Sequence, residues 1–297
     1  MTAFSVSEIW RYPVKSMQGE RLDAAEVTGN GVQYDRGWAV RDTASGNIRG
    51  AKNIAPLMQC AARYLDGTDA GLVPHAQITL PGGDEINTDD GRVHNILSEV
   101  LGQKVTLEPL QPAAAEDHYR RRSMDGDGDG DAAEPERRRR LGLLDDEPFS
   151  DFSTDRPRVL SALAVFRDYN TAPGTYFDAF ALHVMTEASL RYLAGLLPEA
   201  QIDVRRFRPN ILLADDGDLA APVEFDWLDQ VLSIGDVRIN VEWETVRCVM
   251  TTREHADLPR ASQIMRTLVR NTKQNLGIYA DVGTPGLISV GDVAAVG

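Results

Sequence analysis

The chain has 297 residues, enough for two domains or one large one, and its 42% hydrophobic content gives it the core of an ordinary soluble protein. A net charge of −14 argues against nucleic acid as the main partner, because an acidic body repels a phosphate backbone, yet it leaves room for a small anion in a local basic pocket. Two cysteines, Cys60 and Cys248, stand outside any C-x-x-C pair and exclude a disulfide framework; with no signal-type start and no apolar run near the ~18 residues of a membrane span, the expectation is a cytoplasmic protein that engages no membrane.

The first 110 residues read as strands and turns. Residues 4–9 alternate apolar and polar with period two, and Asn30-Gly31 and Pro81-Gly82-Gly83 are turn signals. Residues 36–42 predict a strand carrying Trp38, closed by a turn at Ser45-Gly46-Asn47, and residues 93–101 predict a short helix stopped by Gly102. A small β-rich domain is therefore expected over 1–115. Composition then breaks: from 123 to 147 the chain is Asp/Gly-rich and then Arg-rich, so 116–150 reads as a loop or disordered connector. Inside it, Asp125, Asp127, Asp129, Gly130, Asp131 and Glu136 match the spacing of a calcium loop. Pro135 at the start of the exiting helix and Ala132 at a position that wants a large apolar residue favour an acidic, solvated loop instead.

Residues 151–297 form the second expected domain. Thr186 is placed to cap a helix running to Leu197, with Leu190, Leu193 and Leu197 on one stripe. Residues 208–213 open a strand; 230–234, 237–243 and 246–251 read as successive strands, and 258–270 as mixed helix and loop. Residues 276–280 and 287–293 then close a sheet or barrel. The whole is expected to be α+β and mostly β, a small β-rich domain followed by one that closes a sheet or barrel, with flanking helices.

Four separated segments carry the chemistry: Tyr12-Pro13-Val14-Lys15-Ser16, Asp35-Arg36-Gly37-Trp38, the run from Arg205 to Asn210, and Arg247-Cys248-Val249-Met250-Thr251-Thr252. Only four lysines occur in the chain, so Lys15 following a strand and a proline stands out. Arg206 and Arg208 flank Phe207, which would put both guanidinium groups on one face of an extended chain. Lys and Arg converging on a pocket suggest a bound anion, best a phosphate. A cysteine beside an arginine is a soft metal ligand, since a nearby cation favours the thiolate. Taken alone, Cys60 reads as core and His183 and Ser189 as structural.

These segments, in this order, resemble the MOSC family, the molybdenum-cofactor sulfurase C-terminal domain proteins, together with the N-terminal β-barrel domain that precedes MOSC in many members. Tyr-Pro-Val-Lys-Ser and Asp-Arg-x-Trp resemble the barrel's signatures. The stretch from His183 to Leu190, Phe207-Arg208-Pro209-Asn210, Arg247-Cys248-x-x-Thr251-Thr252 and Val290-Gly291-Asp292-Val293 resemble those of MOSC. The resemblance implies a molybdenum cofactor, with Cys248 as ligand to the metal and catalytic residue. Lys15, Ser16 and Arg36 would contact its phosphate end, Arg208 and Asn210 its pterin, and Thr251 and Thr252 would lie close by. It implies a molybdenum-dependent reductase of N-hydroxylated compounds, similar to amidoxime-reducing components, supplied by a separate electron-donor protein of the ferredoxin or flavoprotein type. The rival readings are sulfur transfer through a Cys248 persulfide and a non-catalytic carrier of the cofactor. Two departures bear on substrate preference more than on binding: Thr245 stands where such reductases often have a second cysteine, and Arg253-Glu254-His255 follows Thr252 in place of Val-Asp-Pro.

Overall fold

The alternation at the start of the chain becomes the strand Phe4–Arg11, buried at Phe4, Val6 and Ile9. The spacing slips from two to three between Val6 and Ile9 because a bulge there lets both apolar residues face the core against Ile211–Ala214. This computed structural model describes residues 4–66, 73–122, 134–150, 154–217 and 219–297. Asp125, Asp127, Asp129, Gly130 and Asp131 of the calcium-loop match lie outside the described residues.

Among the described residues, seven strands close a barrel. In order around it they are Ile211–Ala214, Leu182–Thr186, Asn275–Thr284, Val237–Val246, Val231–Ile234, Val293–Val296 and Phe4–Arg11, which returns to Ile211–Ala214. Every pairing on the ring is antiparallel except the parallel one between Leu182–Thr186 and Ile211–Ala214. The interior fills with β-branched and leucine side chains, among them Val184, Ile211, Ile239, Ile278 and Ile234, all fully buried. The helix Glu187–Leu196 begins where the barrel strand ends: Thr186 accepts the Ser189 amide as cap and donates its hydroxyl to the buried carboxylate of Glu224.

The N-terminal half curls short sheets around a second core. Trp38–Asp42 pairs with Val105–Pro109 and Ile48–Arg49, and Ala61–Tyr64 continues through Ala76–Thr79 to Glu85–Asn87. The helix Val93–Leu101 seals this core with Val93, Leu97 and Leu101 and stops at Gly102, which takes the left-handed conformation a helix end favours. The expected class, mostly β with flanking helices, holds. The two halves also exchange strands. Phe4–Arg11 sits in the C-terminal barrel, and Gly286–Ser289 pairs with Ala24–Thr28 of the N-terminal half.

Three local expectations are corrected. Residues 246–251 do not make a strand of their own: one ten-residue strand, Val237–Val246, runs into a 3-10 turn, Val249–Thr252. The connector is not all loop, because Glu134–Leu141 is helical; Pro135 falls in the first turn, where a missing amide costs nothing. The segment around Phe207 is not extended: Val204–Arg206 is a 3-10 turn and Arg208 has φ 58°, so Arg206 and Arg208 diverge. Among the described residues no helix is long and apolar enough to cross a membrane.

Candidate functional site

The segment after the first strand is laced to residues 35–38 by backbone bonds: Arg36 N donates to Tyr12 O, Trp38 N to Pro13 O and Lys15 N to Trp38 O. This brings Lys15, Ser16 and Arg36 to one edge of the N-terminal core. Ser16 has φ 69° and Arg36 φ 53°, left-handed values that non-glycine residues adopt at a cost of about 1–2 kcal/mol. Arg208 makes a third strained position. Its guanidinium lies 4.1 Å from the Tyr12 ring centroid and Arg36's lies 5.2 Å from the same ring, while Arg208 Nη1 donates to the Met17 carbonyl. One buried tyrosine thus gathers a cation from each half of the molecule.

Arg36 and Arg208 line a cleft of about 590 Å³, open mouth included, that also holds Asp178, His183, Arg247, Cys248 and Tyr279. Four arginines and one aspartate among its lining residues reverse the sign of the protein's overall charge. Arg36 is held charged: burial opposes its charge, but Asp35 and Asp178 outweigh that and raise its pKa. Burial lowers Arg208 to about 10, still charged at neutral pH. Most of the guanidinium donors are satisfied. Two buried nitrogens, Arg208 Nη2 and Arg247 Nε, have no hydrogen-bond partner, each a deficit of about 1–3 kcal/mol that a bound anion would remove.

His183 holds Arg247 in place. Its Nδ1–H points to the Arg208 carbonyl at 3.3 Å, leaving Nε2 to accept from Arg247 Nη1 at 3.2 Å, and burial beside Arg247 keeps it neutral, far below the usual histidine range. The neighbouring strand makes room for this ring at Gly277 (φ 82°), where a Cβ would sit 2.4 Å from His183 Nε2. Lys15 is drawn inward to Asp178, 2.6 Å from its Oδ1, and to the Tyr176 carbonyl at 2.7 Å. Burial lowers the Lys15 pKa, and Lys15 in turn holds the Asp178 carboxyl below the usual aspartate range against its own desolvation.

Cys248 caps the 3-10 turn at the end of the long strand and is partly exposed at the cleft wall, unlike Cys60, which is fully buried in the N-terminal core with a thiol pushed up to about 11. Thr251 and Thr252 donate their hydroxyls back to the carbonyls of Cys248 and Val249, so they close the turn and do not line the cleft. Asn210 does line it. Its amide is committed, donating to Asp35 Oδ2 at 2.9 Å while its Oδ1 accepts the His183 amide. Ser16 accepts the Ala51 amide and, like Lys15, stands behind the lining. Arg206 spends its guanidinium on the carbonyls of Gln201, Arg253 and Pro259, a structural use.

Of the residues expected from sequence, Arg36, Arg208, Asn210 and Cys248 therefore meet in one cleft, with Lys15 and Ser16 adjacent and Thr251 and Thr252 beneath. Arg247, Asp178 and Tyr279 also line it. Arg247 was signalled by its place beside Cys248. Nothing in the local sequence marks Asp178 or Tyr279, which arrive through tertiary contacts.

A cationic cleft with one presented thiol is an arrangement suited to an anionic ligand beside a soft ligand group. Comparison with known proteins is specific. Residues 3–110 match the MOSC N-terminal beta barrel domain and residues 171–295 the MOSC domain, and the chain belongs to the MOSC family. Mitochondrial amidoxime-reducing component 1 of Mus musculus is 28% identical over 311 residues, spanning 97% of this chain and 81% of that protein. Among solved structures, the YUAD protein from Bacillus subtilis aligns over 100% of this chain and 96% of its own, with TM-score 0.42 and 11% identity. YiiM from Escherichia coli aligns over 42% of this chain and 57% of its own, with TM-score 0.31 and 24% identity.

Proposed function

We propose that this cleft holds a molybdenum cofactor and that the protein reduces N-hydroxylated compounds such as hydroxylamines, amidoximes or N-hydroxylated bases. The observation that carries the reading is the pair of unpartnered buried guanidinium nitrogens, Arg208 Nη2 and Arg247 Nε, in a cleft that also presents Cys248. Their donors suit a phosphate-bearing pterin, and the thiol suits the metal. Bound there, the cofactor would supply a molybdenum centre capable of two-electron oxygen removal from an N–OH group.

The chain's own residues do the rest. Arg36, Arg208 and Arg247 neutralise the cofactor's negative charge, and Tyr12 and His183 fix two of those guanidinium groups before it arrives. Lys15 and Asp178 hold each other at the cleft wall, and Thr251 and Thr252 stiffen the turn that presents Cys248. Electrons would come from a separate carrier of the ferredoxin or flavoprotein class. The name of the mouse relative, at 28% identity, supports the amidoxime-type substrate class.

Metal analysis tests the reading. Protein made in a host that synthesises the cofactor should carry close to one molybdenum per chain, and Cys248→Ala should lose the metal or its activity. Molybdenum-free wild-type protein with persulfide on Cys248 would favour sulfur transfer, and molybdenum-loaded protein inert with every donor would favour a carrier.

A further inference from the structure

Cleaving an N–OH bond reductively breaks N–O, forms N–H and water, and consumes two electrons and two protons. The electrons belong to the carrier protein; the protons have to be delivered inside the cleft. This question rests on the reading above, and the cleft answers it by elimination. Arginine guanidinium groups do not give up protons at neutral pH. The Asp178 carboxyl is held ionised by Lys15. Both ring nitrogens of His183 are engaged, one by the Arg208 carbonyl and one by Arg247. Cys248 is reserved for the metal. Tyr279 remains.

Its ring lies 5.4 Å from Phe180, nearly parallel at 23°, and 6.0 Å from His183, so its plane is fixed within the cleft wall. Among the described residues no donor or acceptor engages its hydroxyl. The charges that reach it are those of Arg247, Asp178, Lys52 and Cys248, and burial raises its pKa so that it stays protonated. We propose that Tyr279 is the proton donor of this cleft. Its O–H bond breaks as a new O–H bond forms on the oxygen leaving nitrogen. The second proton, destined for nitrogen, comes from solvent through the open mouth. The resulting phenolate sits near the Arg247 guanidinium until solvent reprotonates it.

The test is Tyr279→Phe, which keeps the stack on Phe180 and removes only the hydroxyl. With hydroxylamine as substrate and reduced methyl viologen as electron source, kcat should fall at least ~100-fold while KM and molybdenum content stay at wild-type values. A kcat within about twofold of wild type, or a loss shared with KM or molybdenum content, would overturn the assignment. A wild-type protein that binds molybdenum but reduces no N-hydroxy compound would instead remove the reading on which it rests. A second measurement needs no cofactor. Ultraviolet difference titration of wild type against Tyr279→Phe should show one phenol that ionises above the ordinary tyrosine range and exchanges rapidly with solvent. A phenol that ionises only on unfolding cannot be reached by water and cannot be recharged, which would also sink the proposal.

Discussion

His255 shows what single buried residues do to this protein away from the cleft. It is 2% exposed, its Nδ1 has no partner, and burial together with Arg208 and Arg205 lowers its pKa to about 4. In the unfolded chain the same ring titrates near 6.5. Between those values the unfolded state binds a proton that the folded state refuses, so this contribution is intact above about pH 6.5 and lost as pH falls toward 4. Going from about pH 7 to about pH 5 should cost about 2 kcal/mol from this residue alone, and His183 acts in the same direction. Urea unfolding at both pH values, wild type beside His255→Asn, checks it; equal pH slopes in the two proteins would refute the assignment. At this scale the sequence marked two of the residues that meet in the cleft, Cys248 and Arg208, because their types announce a chemistry. It was silent at Asp178 and Tyr279, whose significance comes from what the fold sets beside them.

The turn Val249–Thr252 is the element on which the site depends, and it is where periodicity misled. Val246, Val249 and Thr251 look like strand residues, but the strand is stopped at Arg247, whose backbone is clamped by Gln274: Arg247 N donates to Gln274 O, and Gln274 Nε2 to Arg247 O at 2.7 Å. The hydroxyls of Thr251 and Thr252 then find carbonyls three residues back, an alternative to ladder pairing that β-propensity does not register. Thr252→Val should therefore lower stability by about 1 kcal/mol and leave molybdenum content unchanged. A variant of normal stability that fails to retain the metal would return Thr252 to direct cofactor contact. The helix Glu134–Leu141 teaches a related lesson. Its arginines read as connector, yet Arg138 and Arg140 reach back to Glu134 and Glu136, and Arg137 and Arg138 both lie over Phe149. Pairing of this kind stabilises a helix that apolar periodicity cannot reveal.

Across the whole molecule, alternation, glycine turns and the Val93–Leu101 helix were enough to read two β-rich units in series. Strand exchange was not readable, because the partnership of Gly286–Ser289 with Ala24–Thr28 depends on register between distant segments. Its energetic meaning is that neither half closes its own sheets: without Phe4–Arg11 the barrel has two open edges where Ile211–Ala214 and Val293–Val296 now pair. Residues 151–297 expressed alone should be unfolded or aggregated, and the full chain should unfold in one transition seen alike by fluorescence and circular dichroism. A folded, monomeric 151–297 fragment would show that the barrel does not need its borrowed strand. The same exchange sets a timetable for synthesis. Phe4–Arg11 leaves the ribosome before the other six strands of the barrel, and its partner Val293–Val296 is the last of them to be made. Until then the barrel cannot close, because the edge of Phe4–Arg11 that takes Val293–Val296 has no partner. During that wait, a nascent-chain chaperone has an exposed β-strand to protect.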